Sequence, residues 1–416
     1  MLTEQTNSEL GRHLLTIRGV QFIFGAQGDP FAMILRAGDD DPLGHGARAR
    51  ELGLHESSIG AWVTADRELG ARILGDARFS PRHAEEGPQH HPGVDVWDNP
   101  LLCHVVPLDD AHLNLDPSAY RKLAEAAAPL LSAEALGARL PEIEAACRET
   151  LTATGERFDL YRDFAVPAAL RAVADVLGLP AGTRERLAEL HAGLATALDA
   201  GHCPQQLGTA RALLTAVTDL SAELTGLVDA GRATGLAALS GASPQDAVAI
   251  GTLAVVVGVE VTATAVCNAV EVLLNHPGQW ERIGQNPELA GAAVREALRL
   301  APPLRFESRI ARERIKLDGK TVEEGRRVVV LVDAANRDPE SFADPDAFVP
   351  DRADGDRSLT FLGGPAAPVT EALVRVQSEA AVRVLAELRP GLRTGAEVLH
   401  RMRSAVLRGV LRFPVA

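Results

Sequence analysis

The chain has 416 residues, of which 46% are hydrophobic, 24% are charged and only 4% are aromatic. This composition excludes a mostly disordered protein and is typical of a folded globular one. The net charge of −14, from 56 acidic and 42 basic residues, argues against a protein whose main task is to hold nucleic acid, since that task needs a basic surface. Alanine and leucine dominate the sequence, and both favour helices, so a mainly helical core is expected.

The cysteines and the first residues predict the compartment. Cys103, Cys147, Cys203 and Cys267 are far apart and form no CxxC pair, so they read as reduced thiols. The polar segment 1–9 has no hydrophobic stretch of the kind that a secretory signal needs. A reducing cytoplasm is therefore expected.

The N-terminal segment alternates short elements. Leu10, Leu14 and Ile17 lie at helical spacing and predict one apolar face of a short helix. Residues 20–24 are β-branched or aromatic at four of five positions and predict an extended stretch. Asp29-Pro30 then predicts the start of a second short helix, which runs to Arg36.

The middle of the chain predicts one strand followed by a long helical region. Residues 62–64 predict a strand, and Asp66 is a candidate N-cap for the helix that follows. Helical periodicity dominates residues 120–300. The stretch 247–274 is apolar enough to resemble a membrane span, but Glu260, Asn268 and Glu271 interrupt it, so a helix through a large core is the preferred interpretation.

Short β-type runs follow Pro302-Pro303. Asp318-Gly319 predicts a turn between two strands, and a long helix is expected at 368–388. The tail, 407–414, is again rich in β-favouring residues. Because no change of composition marks a linker, the sequence predicts one large α+β domain over residues 1–416, mainly α, with a smaller β-rich part.

From about residue 29 onwards, the order of these features resembles a bacterial cytochrome P450. Glu296-Ala297-Leu298-Arg299 matches the family's ExxR motif, which alone is a weak signal. Residues 334–339 and 345–348 match the meander, with Arg352 where its third charged residue is expected. The ordered set is a strong signal, and the resemblance implies the P450 fold.

Glu296 and Arg299 have a physical interpretation of their own. Three residues apart on a helix, they share a face and can pair. A buried pair needs further hydrogen bonds, which Arg352 could supply. The expected role of the three residues is structural rather than catalytic.

The resemblance also shows what this chain lacks. The family's haem is held by a cysteine thiolate in a loop that reads roughly FGxGxHxCxG, and the aligned stretch here is residues 361–370. The cysteine position is Pro368, which has no ligand atom but suits the first turn of a helix. The position of a haem-propionate contact is Ala366.

Two further motifs of the family also lack residues that a haem enzyme needs. The cationic pair of the family's C helix falls on Tyr120 and Ala124, although Arg309 is a candidate remnant of the propionate clamp. The acid–alcohol pair of the central helix falls on Glu260 and Val261, so its hydroxyl is absent. Thr262 lies about 100° round the helix from that position and is a poor substitute.

These departures narrow the resemblance to the haem-free P450 relatives that assist glycosyltransferases in macrolide and anthracycline biosynthesis, such as the helper of the erythromycin desosaminyltransferase. Residues 1–28 are expected to form an N-terminal extension resembling the start of that subgroup. The resemblance implies a non-catalytic protein without cofactor, membrane or nucleic-acid binding. Its implied partner is a glycosyltransferase that transfers a deoxysugar from a TDP-sugar, in a hetero-oligomer with a dimeric core.

Two other functions stay open from the sequence. One is an enzyme with the P450 fold that binds haem through another ligand or uses the emptied pocket for chemistry. The other is a binding protein that delivers the aglycone.

Three smaller questions also stay open. His83, Glu85-Glu86 and His90-His91 could form a metal cluster and Asp39–Asp41 a calcium site, but the spacing rules favour solvated loops, so no metal is expected. The apolar residues of the N-terminal segment either pack on their own domain, which is preferred, or dock a partner. These residues are Leu10, Leu14, Ile17, Phe22 and Phe24.

Overall fold

The computed structural model describes residues 6–38, 41–81, 102, 110–363 and 367–416. Helices dominate these ranges and the strands are short, which confirms the mainly α, α+β fold class. The helices are α1 (Asn7–Ala26), α2 (Pro30–Arg36), α3 (Pro42–Glu51), α4 (Arg67–Gly75), α5 (Pro117–Leu131), α6 (Ala133–Ala138), α7 (Leu140–Thr152), α8 (Val166–Val176), α9 (Thr183–Leu194), α10 (Ala197–Ala200), α11 (Leu207–Asp229), α12 (Thr234–Ala237), α13 (Pro244–Leu253), α14 (Glu260–Leu274), α15 (Gln279–Gln285), α16 (Ala290–Leu300), α17 (Val332–Ala335) and α18 (Ala367–Leu388). The strands are β1 (His55–Glu56), β2 (Ala61–Thr64), β3 (Phe79–Ser80), β4 (Phe158–Asp159), β5 (Phe306–Ala311), β6 (Ile315–Leu317), β7 (Lys320–Val322), β8 (Arg327–Leu331), β9 (Leu399–His400), β10 (Val410–Arg412) and β11 (Pro414–Val415).

Helix α1 corrects the prediction of an extended stretch at residues 20–24. Thr6 and Glu9 form a reciprocal capping box at its start, and the helix continues to Ala26. Its buried face extends through Gln21 and Gly25, so packing on α2 and α11 outweighs the β propensity of the local residues.

Three local predictions in this half of the chain are confirmed, namely two helix caps and one strand. Asp29 caps α2 by accepting a hydrogen bond from the Ala32 amide, and Pro30 occupies its first turn. Asp66 caps α4 in the same way through the amide of Leu69 at 2.6 Å. Strand β2 contains the predicted strand residues 62–64.

The longest helical run crosses the core from Pro244 to Leu274. It consists of α13, a π-helical segment (Ala254–Val259) and α14. The run is long and apolar enough to cross a membrane, but its most apolar window is completely buried within the fold. Packing against its own chain therefore accounts for its composition, as expected for a core helix.

The β-rich part is built around a five-stranded sheet of order β1-β2-β8-β5-β3. Strands β2 and β8 pair in parallel, and the other neighbours are antiparallel. A separate hairpin joins β6 to β7 across the turn predicted at Asp318-Gly319. The C-terminal hairpin pairs β9 with β10, and it brings the end of the chain back to the helical half.

One apolar cluster extends from Leu10 near the start of the chain to Val415 at its end. A smaller cluster packs α4 against the sheet. Helix α18 passes through the large cluster and contacts α5, α7, α14 and α16. The segments on either side of the central helix are therefore tied together by one continuous set of contacts.

Candidate functional site

Glu260, the acid of the central helix, is held in a closed polar cluster. Its side chain is buried at the start of α14. Tyr161 donates a hydrogen bond to Glu260 Oε2 at 2.8 Å, and Arg401 Nη2 donates one to Oε1. His191 Nε2 lies 3.1 Å from Oε2 but does not reach hydrogen-bond geometry. Both carboxylate oxygens are therefore already occupied by groups of the chain itself.

The charge on Glu260 is stabilised by its neighbours. Burial alone would raise its pKa, but the positive charge of Arg401 and the hydrogen bonds from its neighbours outweigh burial, so the pKa lies below the usual 4.5. Burial and the same carboxylate raise the pKa of Tyr161 well above its ordinary value. At neutral pH the cluster therefore holds an ionised carboxylate and a neutral phenol.

Arg401 reaches Glu260 from the far end of the chain. Its amide donates to the carbonyl of Gly409 at 2.7 Å, and its Nη1 donates to the carbonyl of Ala195 at 2.9 Å. A Cβ at position 409 would lie 2.2 Å from Arg401 Nη2. Any larger residue at position 409 would have to displace the guanidinium from its present place beside the backbone of the hairpin.

No alcohol on the central helix completes an acid–alcohol pair. Val261 is buried and carries no polar atom. Thr262 is also buried, and its Oγ1 has no hydrogen-bond partner among the described residues. The groups in hydrogen-bond contact with the acid are Arg401 and the Tyr161 phenol, and no threonine hydroxyl of the central helix is among them.

Pro368 lies in the first turn of α18, with its side chain exposed. The neighbouring Ala366 lies outside the described residues. Five residues after Pro368, Leu373 packs on the central helix, where a Cβ on Gly258 would lie only 2.8 Å from Leu373 Cδ2. At this point α18 is in direct van der Waals contact with the backbone of the central helix.

The cysteines that the structure describes are not placed to ligate a metal near α18. Cys147, Cys203 and Cys267 are free and buried. Burial raises the pKa of the Cys147 thiol to about 12 and those of the other two above their ordinary value, so none is a thiolate at neutral pH. Cys103 lies outside the described residues.

The two propionate positions on α5 make other contacts. Tyr120 is buried and donates a hydrogen bond to the carbonyl of His112 at 2.8 Å, and Ala124 is half-buried. Neither side chain is a cation. Together with Pro368, they give a donor set that does not fit a thiolate-ligated haem.

Arg309, the candidate remnant of the propionate clamp, is buried and already paired. Its Nη1 lies 3.3 Å from Glu307 Oε2, and its Nη2 donates to the carbonyl of Gly363. Burial raises the pKa of Glu307 to about 7, although Arg309 opposes this shift. Arg309 therefore ties β5 to the loop before α18.

The structure brings Glu296, Arg299 and Arg352 together. Arg299 Nε and Nη2 each donate to the Glu296 carboxylate at 2.9 Å, and Arg352 Nε donates to Glu296 Oε1 at 2.9 Å. Arg299 Nη1 also donates to the carbonyl of Asn336 at 2.7 Å. The buried charges are thus fully hydrogen-bonded to α16 and the loop beyond α17, an arrangement that anchors the meander.

The apolar residues predicted for the N-terminal segment fall into two groups. Leu10, Leu14 and Ile17 are almost completely buried in the core of their own fold, so in this fold they are not available to dock a partner. Phe24 is half-buried and Phe22 is exposed. The docking hypothesis therefore loses Leu10, Leu14 and Ile17 and keeps the exposed Phe22.

Sequence reasoning missed a cavity between α2 and the C-terminal hairpin. It has a volume of about 510 Å³ and a mixed polar and apolar lining. Residues 33–38 form one wall and 397–402 another, with Arg305, Arg408 and Glu271 between them. These segments are far apart in sequence, so no local pattern could have indicated the cavity.

No group of three potential metal-ligating side chains occurs within the part of the chain that the structure describes. The histidines at 83, 90 and 91 and the acids Glu85, Glu86, Asp39 and Asp40 lie outside the described residues. The preference for solvated loops at these positions stays a prediction.

Sequence comparison places the chain in a family. The Cytochrome P450 family model matches residues 243–359. Protein AknT of Streptomyces galilaeus is 48% identical over 99% of this chain and 96% of its own length, and Protein DesVIII of Streptomyces venezuelae is 36% identical over 98% and 94%. Cytochrome P450 family protein EryCII of Saccharopolyspora erythraea is 32% identical over 100% and 99%.

The chain belongs to the cytochrome P450 family. Its full-length relatives confirm the subgroup predicted from the sequence, the P450-like auxiliary proteins of antibiotic glycosyltransferases. The solved structure of ligand-free Mycobacterium smegmatis CYP164A2 superposes with a TM-score of 0.78 at 25% identity, over 93% of this chain and 99% of that one.

Proposed function

We propose that this protein is a haem-free, non-catalytic P450-fold auxiliary protein that binds, stabilises and activates a TDP-deoxysugar glycosyltransferase in macrolide or anthracycline-type antibiotic biosynthesis. The observation that supports this most is the start of α18 at Pro368, where a thiolate ligand would have to stand. The full-length relatives support the same reading.

The polar cluster supports the absence of catalysis. An acid that served proton delivery would need a hydroxyl or water in contact with it. Glu260 has Arg401 on one oxygen and the Tyr161 phenol on the other, so no threonine of the central helix contacts it as the alcohol of an acid–alcohol pair. Glu296, Arg299 and Arg352 hold the meander and take no part in chemistry.

The protein is proposed to act by shifting the conformational equilibrium of the glycosyltransferase. If the protein binds only the active conformation of the glycosyltransferase, it raises the population of that conformation and protects it from unfolding. The whole chain, 1–416, acts as one domain in a cytoplasmic hetero-oligomer with a dimeric glycosyltransferase core. The cluster from Leu10 to Val415 supports the single domain, and the buried free thiols suit a reducing compartment.

The test is a transfer assay with the TDP-deoxysugar glycosyltransferase proposed as the partner. The enzyme is purified alone and together with the auxiliary protein, and the transfer of deoxysugar from the TDP-sugar is measured. We expect activity only, or mainly, in the mixture, and no haem absorption band from the auxiliary protein. A haem band at full stoichiometry, or transfer unaffected by the protein, would contradict the proposal.

A carrier role for the aglycone is the second candidate, and the cavity beside α2 favours it because its volume of about 510 Å³ suits a small molecule. Calorimetric titration of the aglycone into the auxiliary protein alone separates the two functions. Saturable binding in the absence of the glycosyltransferase supports the carrier, whereas no heat change supports activation alone.

A further inference from the structure

The most exposed large apolar side chains cluster in two segments, residues 6–36 and 397–412. Five of them are at least 55% exposed, whereas the other exposed large apolar side chains among the described residues reach at most 48%. The five are Leu15, Phe22, Ile23, Met402 and Leu411. Exposed apolar side chains concentrated in this way mark a contact surface rather than scattered surface residues.

The two segments meet around the cavity. Met33 of α2 and the hairpin residues Leu399 and Met402 line the same opening. The guanidinium carbon of Arg36 lies 4.8 Å from the centre of the Phe22 ring, which places the outer side of α1 beside this rim. We call the surface formed by α1, α2 and the hairpin of β9 and β10 the α1–hairpin face.

Helix α1 has two apolar stripes. Leu10, Leu14 and Ile17 form the buried one. Leu15 and Phe22, which are seven residues apart, form the second, about 110° round the helix from the first. A surface helix needs only one apolar stripe to pack on its own core, and the second stripe is more than half exposed although Arg36 contacts Phe22.

The α1–hairpin face is basic although the protein is acidic. The two segments contain seven arginines and three acidic residues, in a chain whose net charge is −14. One of the seven, Arg401, is paired with the buried Glu260, which leaves six arginines outside that pair. Two of these acids, Glu9 and Asp29, are already hydrogen-bonded in helix caps. Burial and the nearby charge of Arg18 lower the pKa of Arg403.

We propose that the α1–hairpin face is the docking surface for the glycosyltransferase, an inference that rests on the proposed function. The partner presents an apolar segment flanked by acidic residues, and an anchoring side chain enters the cavity between Met33 and Met402. A second copy of this chain fits poorly, since a symmetric contact would place arginine against arginine.

The test measures the affinity of the purified glycosyltransferase for the full-length wild-type protein and for single variants of it. Phe22→Ser, Met402→Ser and Arg18→Glu alter the face, while Leu388→Ser and Arg232→Glu are matched changes at exposed positions elsewhere. We expect each face variant to weaken binding about tenfold or more, and each control to change it less than about twofold. Urea unfolding of every variant verifies that the fold is intact.

The salt dependence of the association rate separates the contribution of charge from that of the apolar contact. Wild-type association should slow as salt is added, and Arg18→Glu should lose most of that dependence, whereas Phe22→Ser should keep it.

Several results would overturn the inference. If all three folded face variants bind like wild type while the glycosyltransferase is still activated, the docking surface lies elsewhere and the proposed function survives. If wild type neither binds nor activates the enzyme, the proposed function itself fails. Loss of self-association in the face variants would assign the surface to a second copy, and binding to vesicles of anionic lipid would assign it to a membrane.

Discussion

Glu260 carries its negative charge in the interior of the protein. The side chains around it therefore determine how much that buried charge costs the folded state. A buried ion pair gains little over an apolar pair of the same size, but the removal of one partner leaves an uncompensated charge. Arg401 is that partner here, and 141 residues separate it from Glu260 along the chain. The pair therefore holds the C-terminal hairpin to the central helix.

Removal of either member should destabilise the fold. We expect Arg401→Met and Glu260→Gln each to lower the free energy of unfolding by about 3–5 kcal/mol, because each leaves the other group buried without its partner. The double variant should lose less than the sum of the two. Urea unfolding measures all three. Arg232→Met, at an exposed position, is the control and should change stability by less than about 0.5 kcal/mol; a similar small effect at Arg401 would show that the pair is not held in solution.

Glu307 should make stability depend on pH. Its pKa rises from 4.5 to about 7 in the folded chain because it is buried beside a single arginine. Between these two values the folded chain keeps a proton that the unfolded chain has released, so the free energy of unfolding falls as pH rises through this window. Glu307→Gln should remove the contribution of Glu307, while Asp199, whose pKa burial raises to about 6, keeps its own.

The measurement is urea unfolding at both ends of that window, for wild type and for Glu307→Gln. Glu281→Gln changes an exposed carboxylate and should leave the pH dependence of wild type intact. The difference in unfolding free energy between wild type and Glu307→Gln should change across the window, and a constant difference would contradict the raised pKa.

At the scale of elements, glycine at position 258 allows α18 to pack closely on the central helix. The contact is made by Leu373, which lies directly against the backbone at Gly258. The hairpin supplies Arg401 from the other side. Thus the central helix is held by protein side chains on both sides.

Gly258→Ala should separate the two helices. Its Cβ would lie 2.8 Å from Leu373 Cδ2, so the side chain must move or the helices must shift, at a cost of about 1–3 kcal/mol. Gly226→Ala in α11 is the matched control, since no atom lies within 4 Å of its added Cβ. There the change should stabilise the helix by about 0.5–1 kcal/mol. Thermal unfolding compares the two, and equal effects would contradict the close packing at Gly258.

At the scale of the whole molecule, the proposed partner should stabilise the protein by mass action. With the glycosyltransferase present at about 100 times its Kd, the free energy of unfolding should rise by about 2.7 kcal/mol. Hydrogen exchange of the auxiliary protein with and without the enzyme measures this. Protection without a matching increase in unfolding free energy would indicate a local contact only, and no change at all would argue against complex formation.

Local features of the fold were predictable because each depends on neighbouring residues. The cap at Asp66, the turn at Asp318-Gly319 and the start of α2 at Pro30 follow from side chains that bond or restrict their own backbone. Residues 20–24 were predicted wrongly, because their β propensity favoured a strand whereas packing of α1 against α2 and α11 kept the helix.

The sequence by itself determined which chemistry position 368 can support, since proline has no ligand atom in any fold. It also determined the pairing potential of Glu296 and Arg299, which are one helical turn apart. Only the tertiary structure decided that Arg401 pairs with Glu260. It also decided that residues near the two ends of the chain meet at the α1–hairpin face. The physical reason is that these contacts join residues more than 100 positions apart, and only folding brings such residues together.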